Sequence, residues 1–282
     1  MAALFSFMDG QDGRALALSD RGLAYGDGLF ETMRVVNGAI PLRAFHLSRL
    51  ESGLARLSFA EPARVLERFN RALERALLKI GPLEHAVLKL IVTRGSSGRG
   101  YTPSKADHSE IIVQAFDFQP DASPALLGIK TCAMRLAIQP RLAGLKHLNR
   151  LEQVLAAQEL EPSSDQDQAY DEGLLFTLEG ELIEGVKSNV LLLTPEGLVT
   201  PHVERAGVAG VMRSYLLSEH IPAALRPKVR RVTVTDVANA KAIAFCNSVR
   251  GIQVASHLDG KVLEDVEHFQ PLQTLLREQL GI

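Results

Sequence analysis

The sequence predicts an α+β fold built from two lobes. Strand-like apolar runs and amphipathic helices follow one another without a regular β-α-β alternation, which favours mostly antiparallel sheets. The segment "QPDASP" (119–124) is rich in turn-forming residues and is the best candidate for a linker. We therefore predict a small N-terminal α+β domain (1–119), a linker (120–124) and a larger C-terminal α+β domain (125–282) that carries Lys146.

The elements of the first lobe are indicated by turn and capping residues. Asn37-Gly38 lies between two apolar runs and suits the type I′ turn of a hairpin. Two helices follow, "RAFHLSRLESGLARL" and "EPARVLERFNRALERALLKIG", the second with Pro62 near its first turn and Gly81 past its end. The runs "AVLKLIVTR" and "EIIVQAFDF" predict two further strands.

The second lobe begins with the predicted strand "GIKTCAMRLAI". Further strands are predicted around "EGLLFTLEGELIEG", "SNVLLLTPEGLVTP", "RRVTVTDV" and "KAIAFCNSV", and helices at "GVMRSYLLSEH" and "PLQTLLREQL". A third helix is predicted to begin at Lys146, because Leu148, Leu151, Val154 and Leu155 have helical spacing.

The composition excludes several classes of protein. It is 46% hydrophobic and 23% charged with a net charge of −2, as in ordinary globular proteins, and a dense basic run that would indicate nucleic acid is missing. No apolar segment approaches a membrane span, and the first residues lack the features of a signal peptide. Cys132 and Cys246 are too few for a disulfide framework or a zinc site, so we expect buried thiols, no metal and a cytoplasmic location.

Lys146 stands out because a helix favours cations at its C-terminal end, whereas this lysine is at the start of the predicted helix. Lys146, Asn149, Arg150 and Gln153 would share one helix face. Such a polar face is either simply solvated or part of a site.

Three other segments could carry chemistry. Gly207 and Gly210 precede a helix, so they form either a phosphate site at its start or a plain turn. Glu184 at a strand end is either a turn residue or a carboxylate aimed into a cleft. The loop "VTRGSSGRGYTP" contains Arg94 and Arg99 and could bind an acidic substrate or be a solvated loop.

Together these groups are the ones that pyridoxal phosphate chemistry requires: a lysine for a Schiff base, a carboxylate for the pyridine nitrogen, and N–H groups and arginine for the phosphate. The chain resembles the fold-type IV pyridoxal-phosphate enzymes, which include branched-chain aminotransferases, D-amino-acid transaminases and aminodeoxychorismate lyases. The matching segments are "SDRGLAYGDGLFETMRV", "FHLSRL", "RGSSGRGY", "LKHLNRLEQ", "LIEGVKSNV", "AGVAGVMR" and "FCNSVRGIQ". Among these families, "LAGLKHLNRLEQVLA" and "RGSSGRGY" are most similar to the bacterial lyases.

The resemblance implies a two-lobed fold-type IV architecture with the active site between the lobes, a homodimer, and pyridoxal 5'-phosphate as cofactor. Lys146 matches the Schiff-base lysine and Glu184 the carboxylate at the pyridine nitrogen, and these two are the predicted catalytic residues. The resemblance also implies cofactor contacts by Arg49, Val211, Met212, Asn247 and Ser248, and substrate contacts by Tyr25, Thr32, Arg99 and Asn149.

The implied activity is cleavage of 4-amino-4-deoxychorismate to 4-aminobenzoate and pyruvate in folate biosynthesis. The alternative is a class IV transaminase acting on D-amino acids or on aromatic or branched-chain L-amino acids. Branched-chain aminotransferases have a tyrosine shortly after the lysine, in the neighbourhood of Leu151 here, which argues against branched-chain substrates. A binding protein without activity would be colourless, and the presence of so many site residues together conflicts with it.

Overall fold

The computed structural model describes residues 3–98, 100–121, 125–162 and 169–282. The chain divides into an N-terminal unit, Met1–Pro120 with Leu145–Asn149, and a C-terminal unit, Asp121–Gly144 with Arg150–Ile282. The boundary after Pro120 falls in the segment predicted as a linker, of which residues 122–124 lie outside the described residues.

The N-terminal unit is a four-stranded antiparallel sheet covered by two long helices. Its elements in chain order are β1 (Phe5–Met8), α1 (Arg21–Tyr25), β2 (Gly28–Val36), α2 (Arg43–Arg56), α3 (Pro62–Ile80), β3 (His85–Thr93) and β4 (Glu110–Asp117). The strand order is β1-β4-β3-β2, which leaves one side of β2 without a neighbouring strand of the sheet.

The core of this unit follows from two sequence periods. In β3 every second residue from Ala86 to Val92 is buried, the pattern of a strand with one face on the core. In α3, Phe69, Leu73 and Ala76 are buried at helical spacing and join the same apolar cluster. Within the described ranges, no helix combines the length and the apolar character needed to cross a membrane.

The predicted hairpin turn is confirmed, but the strand expected after it is not formed. Asn37 and Gly38 have φ values of 48° and 74°, and Val36 bridges to Ala39. The chain then enters α2 at Arg43, so only a single bridge follows the turn.

The C-terminal unit is built on a nine-stranded mixed sheet, as far as its described residues show. Its elements are β5 (Leu127–Leu136), α4 (Leu151–Gln158), β6 (Glu172–Thr177), β7 (Leu182–Gly185), β8 (Asn189–Thr194), β9 (Gly197–Pro201), α5 (Val211–Leu216), β10 (Lys228–Arg230), α6 (Val234–Ala238), β11 (Ala242–Asn247), β12 (Gly251–Leu258), β13 (Lys261–Val262) and α7 (Gln270–Leu280). The order is β10-β9-β8-β11-β12-β5-β6-β7, with β13 beside β12. Pairing is parallel at β9–β10, β12–β5 and β5–β6 and antiparallel elsewhere.

The strands β6 and β8 are buried at every position, which explains the consecutive apolar residues in the middle of each. Leu174 and Phe176 join one apolar cluster, whereas Leu175 between them joins another. The sheet therefore has packed side chains on both faces at this point.

The strand predicted at "RRVTVTDV" is wrong, because a helix begins inside it. The Thr233 hydroxyl accepts the N–H of Asp236 at 3.3 Å, and the Asp236 carboxylate accepts the N–H of Thr233 at 2.7 Å. This capping box starts α6 and outweighs the alternating valines.

The helix predicted from Lys146 is also wrong, because α4 begins only at Leu151. Residues 146–148 run instead along the edge of β2. The Phe30 N–H donates to the Lys146 carbonyl, and the Leu148 N–H donates to the Gly28 carbonyl, both at 3.0 Å. These backbone bonds explain why Lys146 groups with the N-terminal unit, whereas the sequence assigned it to the C-terminal domain.

Candidate active site

Lys146 is held at the edge of the N-terminal sheet. Its backbone pairs with β2, and its Nζ lies 4.3 Å from the centre of the Phe30 ring. A cation over an aromatic face is a favourable contact. Thr32, two residues further along β2, points to the same face of the strand as Phe30.

A buried cluster of ionisable side chains surrounds Arg49 in the same unit. Arg49 donates from Nε to Oε1 of Glu31 at 2.8 Å and from Nη2 to Oε2 at 2.5 Å. Nδ1 of His46 lies 2.5 Å from the same Oε2. Glu31 and His46 are fully buried and the Arg49 side chain is nearly so, so the two-point contact fixes the plane of the guanidinium.

The charge state of this cluster follows from its geometry. Burial raises the pKa of Glu31, but the Arg49 charge and the His46 hydrogen bond outweigh burial and bring that pKa to about 2. Burial lowers the pKa of His46, and the charges of Arg49 and Lys146 act in the same direction. At neutral pH Glu31 is thus a carboxylate that accepts the Nδ1–H of a neutral imidazole, and Arg49 carries the positive charge of the cluster.

Some of the residues predicted to contact the substrate lie close to one another in the N-terminal unit. The Tyr25 ring is 5.5 Å from the Tyr101 ring, and the Arg21 guanidinium lies 5.0 Å from the centre of Tyr25. Asn149 donates from Nδ2 to the carbonyl of Gly26 at 3.0 Å, so it fixes the chain directly after Tyr25. The predicted Arg99 lies outside the described residues.

Glu184 is a buried carboxylate of the C-terminal unit, on β7. Its Oε2 accepts the N–H of Val208 at 2.8 Å, and its Oε1 accepts Nε2 of Gln153 at 3.3 Å. The other amide atom of Gln153, Oε1, is buried and has no hydrogen-bond partner among the described residues. The site thus combines a carboxylate of fixed orientation with a polar atom whose bonding is incomplete.

Two glycines allow the segment after β9 to pass close to this carboxylate. Gly207 has a φ of +76°, and a Cβ there would lie 2.5 Å from Cγ2 of Ile183 and 3.0 Å from Oε2 of Glu184. A Cβ on Gly210 would lie 1.9 Å from Oδ1 of Asn189. Neither position therefore accepts a side chain without rearrangement.

Val211 and Met212 are the first two residues of α5, directly after this glycine segment. The N–H groups of a first helical turn have no acceptor within the helix, and they carry the positive end of its dipole. Both residues are buried. Their N–H groups can therefore serve an anion.

The side-chain amide of Asn247 forms its hydrogen bonds within the protein, where it stabilises a turn. Its Oδ1 accepts the N–H groups of Val249 at 3.0 Å and Arg250 at 2.8 Å, and its Nδ2 donates to Oγ of Ser188 at 3.0 Å. Ser248 lies within this turn. A direct contact of either residue with the cofactor stays a prediction.

Sequence reasoning did not assign roles to Glu31, His46, Gln153 and Asn189. The signal for Gln153 was present, because it lies on the polar face predicted for the helix after Lys146. Glu31 gave a weaker signal: it is a carboxylate on the side of β2 that also carries Met33 and Val35. Its importance depends on α2, which places two partners on it.

Comparison with known proteins shows the family of this chain. The family model for class IV aminotransferases matches residues 28–257. The aminodeoxychorismate lyase of Vibrio harveyi is 31% identical over 244 residues, which are 85% of this chain and 86% of that protein.

Two solved structures resemble the whole chain. The 4-amino-4-deoxychorismate lyase of Pseudomonas aeruginosa is 38% identical with a TM-score of 0.85, over 99% of this chain and 100% of that one. A hypothetical aminotransferase from Mycobacterium tuberculosis, in a PLP-bound form, is 20% identical with a TM-score of 0.78, over 98% of each chain, and shows the same fold. The predicted fold-type IV architecture is confirmed, and the chain belongs to the class IV aminotransferase family.

Proposed function

We propose that this protein is a pyridoxal-phosphate-dependent 4-amino-4-deoxychorismate lyase that forms 4-aminobenzoate and pyruvate. The observation that supports this most is its likeness, over at least 85% of its length, to two lyases of that name. The reaction needs no second substrate, because the atoms of the two products together are those of the substrate. This property separates a lyase from a transaminase, which also consumes a keto acid.

The residues present fit pyridoxal phosphate. Within the N-terminal unit, Lys146 carries an amine and Arg49 is an arginine of fixed orientation. Within the C-terminal unit, Glu184 is a buried carboxylate, and Val211 and Met212 carry N–H groups at the start of a helix. These are donors and acceptors for an aldehyde, a phosphate and a ring nitrogen, and the incomplete bonding of Gln153 is consistent with a ligand group nearby.

Each side chain then has a defined task. When bound, the cofactor supplies an electron sink that makes the C–H bond beside the substrate nitrogen acidic. Lys146 would hold the cofactor through Nζ and, after exchange for the substrate amine, accept that proton. Glu184 would keep a proton on the ring nitrogen. The carbon–oxygen bond to the enolpyruvyl group then breaks, and enolpyruvate leaves and takes up a proton to become pyruvate.

A class IV transaminase is the second candidate, because the family as a whole carries that activity in its name. It would use Lys146 and Glu184 in the same positions. The difference is that Lys146 would return the proton to a different carbon instead of permitting loss of the enolpyruvyl group.

The test of the proposed function is a pair of assays on the purified protein with added pyridoxal phosphate. We expect 4-aminobenzoate and pyruvate in equal amounts from 4-amino-4-deoxychorismate, without any keto acid. Amino transfer from D-alanine or L-amino acids to 2-oxoglutarate should be at least about 100-fold slower. Keto-acid-dependent transfer without 4-aminobenzoate would support the transaminase instead.

Arg49→Lys is expected to weaken binding of pyridoxal phosphate by about tenfold or more. Lysine keeps the charge that Glu31 needs, but its single ammonium group cannot replace the planar fork of arginine, and a charge-assisted contact contributes about 1.5–3 kcal/mol. Arg43→Lys is the matched control on the same helix, where the arginine pairs with Glu74 and Asn70. The measurement is cofactor affinity by fluorescence titration, and equal affinities of the two variants would contradict the phosphate role of Arg49.

A homodimer is supported by an apolar stripe on α4. Leu151, Val154 and Leu155 lie on one face of the helix and form a continuous apolar surface. Their side chains are 76%, 49% and 51% exposed. We expect a second copy of the chain to cover this stripe. Leu151→Asp should shift the protein toward monomer in analytical ultracentrifugation, whereas Leu78→Asp, at an 83% exposed leucine of α3, should not. A stable dimer of the Leu151→Asp variant would contradict this assignment of the interface.

A further inference from the structure

Glu172, at the start of β6, is a buried carboxyl group that the proposed reaction does not use. Its Oε1 accepts the N–H groups of Val186 at 2.8 Å, Gly173 at 3.2 Å and Lys187 at 3.4 Å. Burial raises the pKa of Glu172 in spite of these donors, so its ionised form is disfavoured in the folded protein. An apolar side chain at this position would avoid the cost of desolvating a carboxyl group.

The segment held by Glu172 leads into a chain of hydrogen bonds that begins at Ser188. The Ser188 hydroxyl acts against the burial that raises the pKa of Glu172. Oγ of Ser188 accepts Nδ2 of Asn247 at 3.0 Å. Asn247 in turn accepts the N–H groups of Val249 and Arg250. Residues 186 and 187, whose N–H groups Glu172 accepts, are thus directly followed by the residue that bonds to Asn247 and so to the turn that contains Ser248.

Glu172 also fixes the chain directly after Glu184. It accepts the N–H groups of Val186 and Lys187, and the N–H of Gly185 donates to the carbonyl of Ser188 at 2.7 Å. A Cβ on Gly185 would lie 3.2 Å from Cδ of Glu172, so the two strands are in close contact. One carboxyl group thus supports two of the segments of this unit that carry a predicted cofactor contact.

We infer that Glu172 is a positioning residue that, through Ser188 and Asn247, sets the Ser248 turn relative to the strand carrying Glu184. This role rests on the proposed function for its purpose, because the two segments carry Glu184 and the predicted cofactor contacts Asn247 and Ser248. Glu172 itself does not touch the cofactor. A change at Glu172 should therefore alter the affinity for the cofactor and the protection of the turn amides from hydrogen exchange.

The experiment compares Ser188→Ala and Glu172→Gln with the full-length wild type. Hydrogen exchange at the amides of Val249 and Arg250 is measured without cofactor, and affinity for pyridoxal phosphate is measured by titration. We expect faster exchange at both amides and about 3- to 10-fold weaker cofactor binding, the effect of losing one net hydrogen bond. Ser188→Thr keeps the hydroxyl and should restore both values.

Glu159→Gln is the matched control. Its carboxylate also accepts two backbone N–H groups, those of Ala133 at 2.6 Å and Met134 at 2.8 Å, but these lie on β5. This variant should lose stability in urea unfolding without any change in exchange at Val249 and Arg250 or in cofactor affinity.

The possible outcomes are distinct. Wild-type values for Ser188→Ala and Glu172→Gln would overturn the inference, and so would an equal loss of cofactor affinity in Glu159→Gln. If the wild type fails to bind pyridoxal phosphate, the proposed function is overturned, and the role of Glu172 toward the cofactor is overturned with it.

Discussion

Glu184→Gln should leave pyridoxal phosphate bound and reduce the turnover rate by a few hundredfold. Two opposite unit charges about 4 Å apart interact by about 4 kcal/mol at an effective dielectric constant near 20. Loss of most of that interaction in the transition state corresponds to about two to three powers of ten in rate. Substrate affinity should change little, because the charge matters most when electrons move toward the ring nitrogen.

The structure explains why this variant should still fold. Both oxygens of Glu184 accept hydrogen bonds, from the N–H of Val208 and from Nε2 of Gln153, whereas a glutamine has only one acceptor oxygen. That oxygen can stay on Val208. The new amide NH₂ would then face Gln153, whose own amide can turn over and offer the oxygen that has no partner among the described residues.

The measurement is steady-state kinetics with cofactor occupancy determined by absorbance. Glu152→Gln is a suitable control, because this neighbouring carboxylate of α4 accepts only the N–H of Ala137 within the described chain and has no assigned role in the reaction. It should turn over at the wild-type rate within about twofold. A near-normal rate for a folded, cofactor-loaded Glu184→Gln protein would show that this carboxylate does not serve the ring nitrogen.

Lys146→Ala should abolish turnover almost completely, by about 10⁴-fold, the upper end of what a positioned base contributes. Lys146→Arg separates charge from proton transfer. Arginine keeps a cation over Phe30 but does not lose its proton near neutral pH, so it cannot act as a base. We expect both variants to be equally inactive while their affinity for the phosphate end of the cofactor persists.

Chemical rescue provides the second readout for Lys146. Methylamine at millimolar concentration should partly restore turnover to Lys146→Ala, because the missing side chain leaves room for a small amine. It should not restore turnover to Glu184→Gln. Appreciable turnover of Lys146→Arg without any added amine would contradict the role of Lys146 as the base.

Much of the fold could be predicted from the sequence, because each long helix or strand repeats its apolar residues with a single period. The helices α2 and α3 and the strands β3 and β4 were predicted within a few residues of their observed limits. The predictions of secondary structure were wrong where a local interaction competed with the apolar periodicity of the segment. The capping box at Thr233 started a helix among alternating valines, and pairing with β2 prevented a helix from starting at Lys146.

Residues of the site could be predicted from the sequence only where they lie within a recognisable sequence motif. Lys146 and Glu184 could be chosen because their residue types and neighbours match a known pattern. The supporting residues Glu31 and Glu172 could not, because their partners come from other elements of the fold. The Glu31–Arg49 contact, for example, requires knowing which face of α2 packs on which face of β2.

Reduction with borohydride tests the central claim most directly. Borohydride converts the link between a lysine amine and the cofactor aldehyde into a stable amine, so the labelled lysine can be located by peptide mapping. We predict that the wild type retains one equivalent of cofactor after reduction and denaturation, on the peptide containing Lys146, and that Lys146→Arg retains none. Label on Lys187 or Lys241, or no covalent label on a protein that binds the cofactor, would contradict the assignment of Lys146.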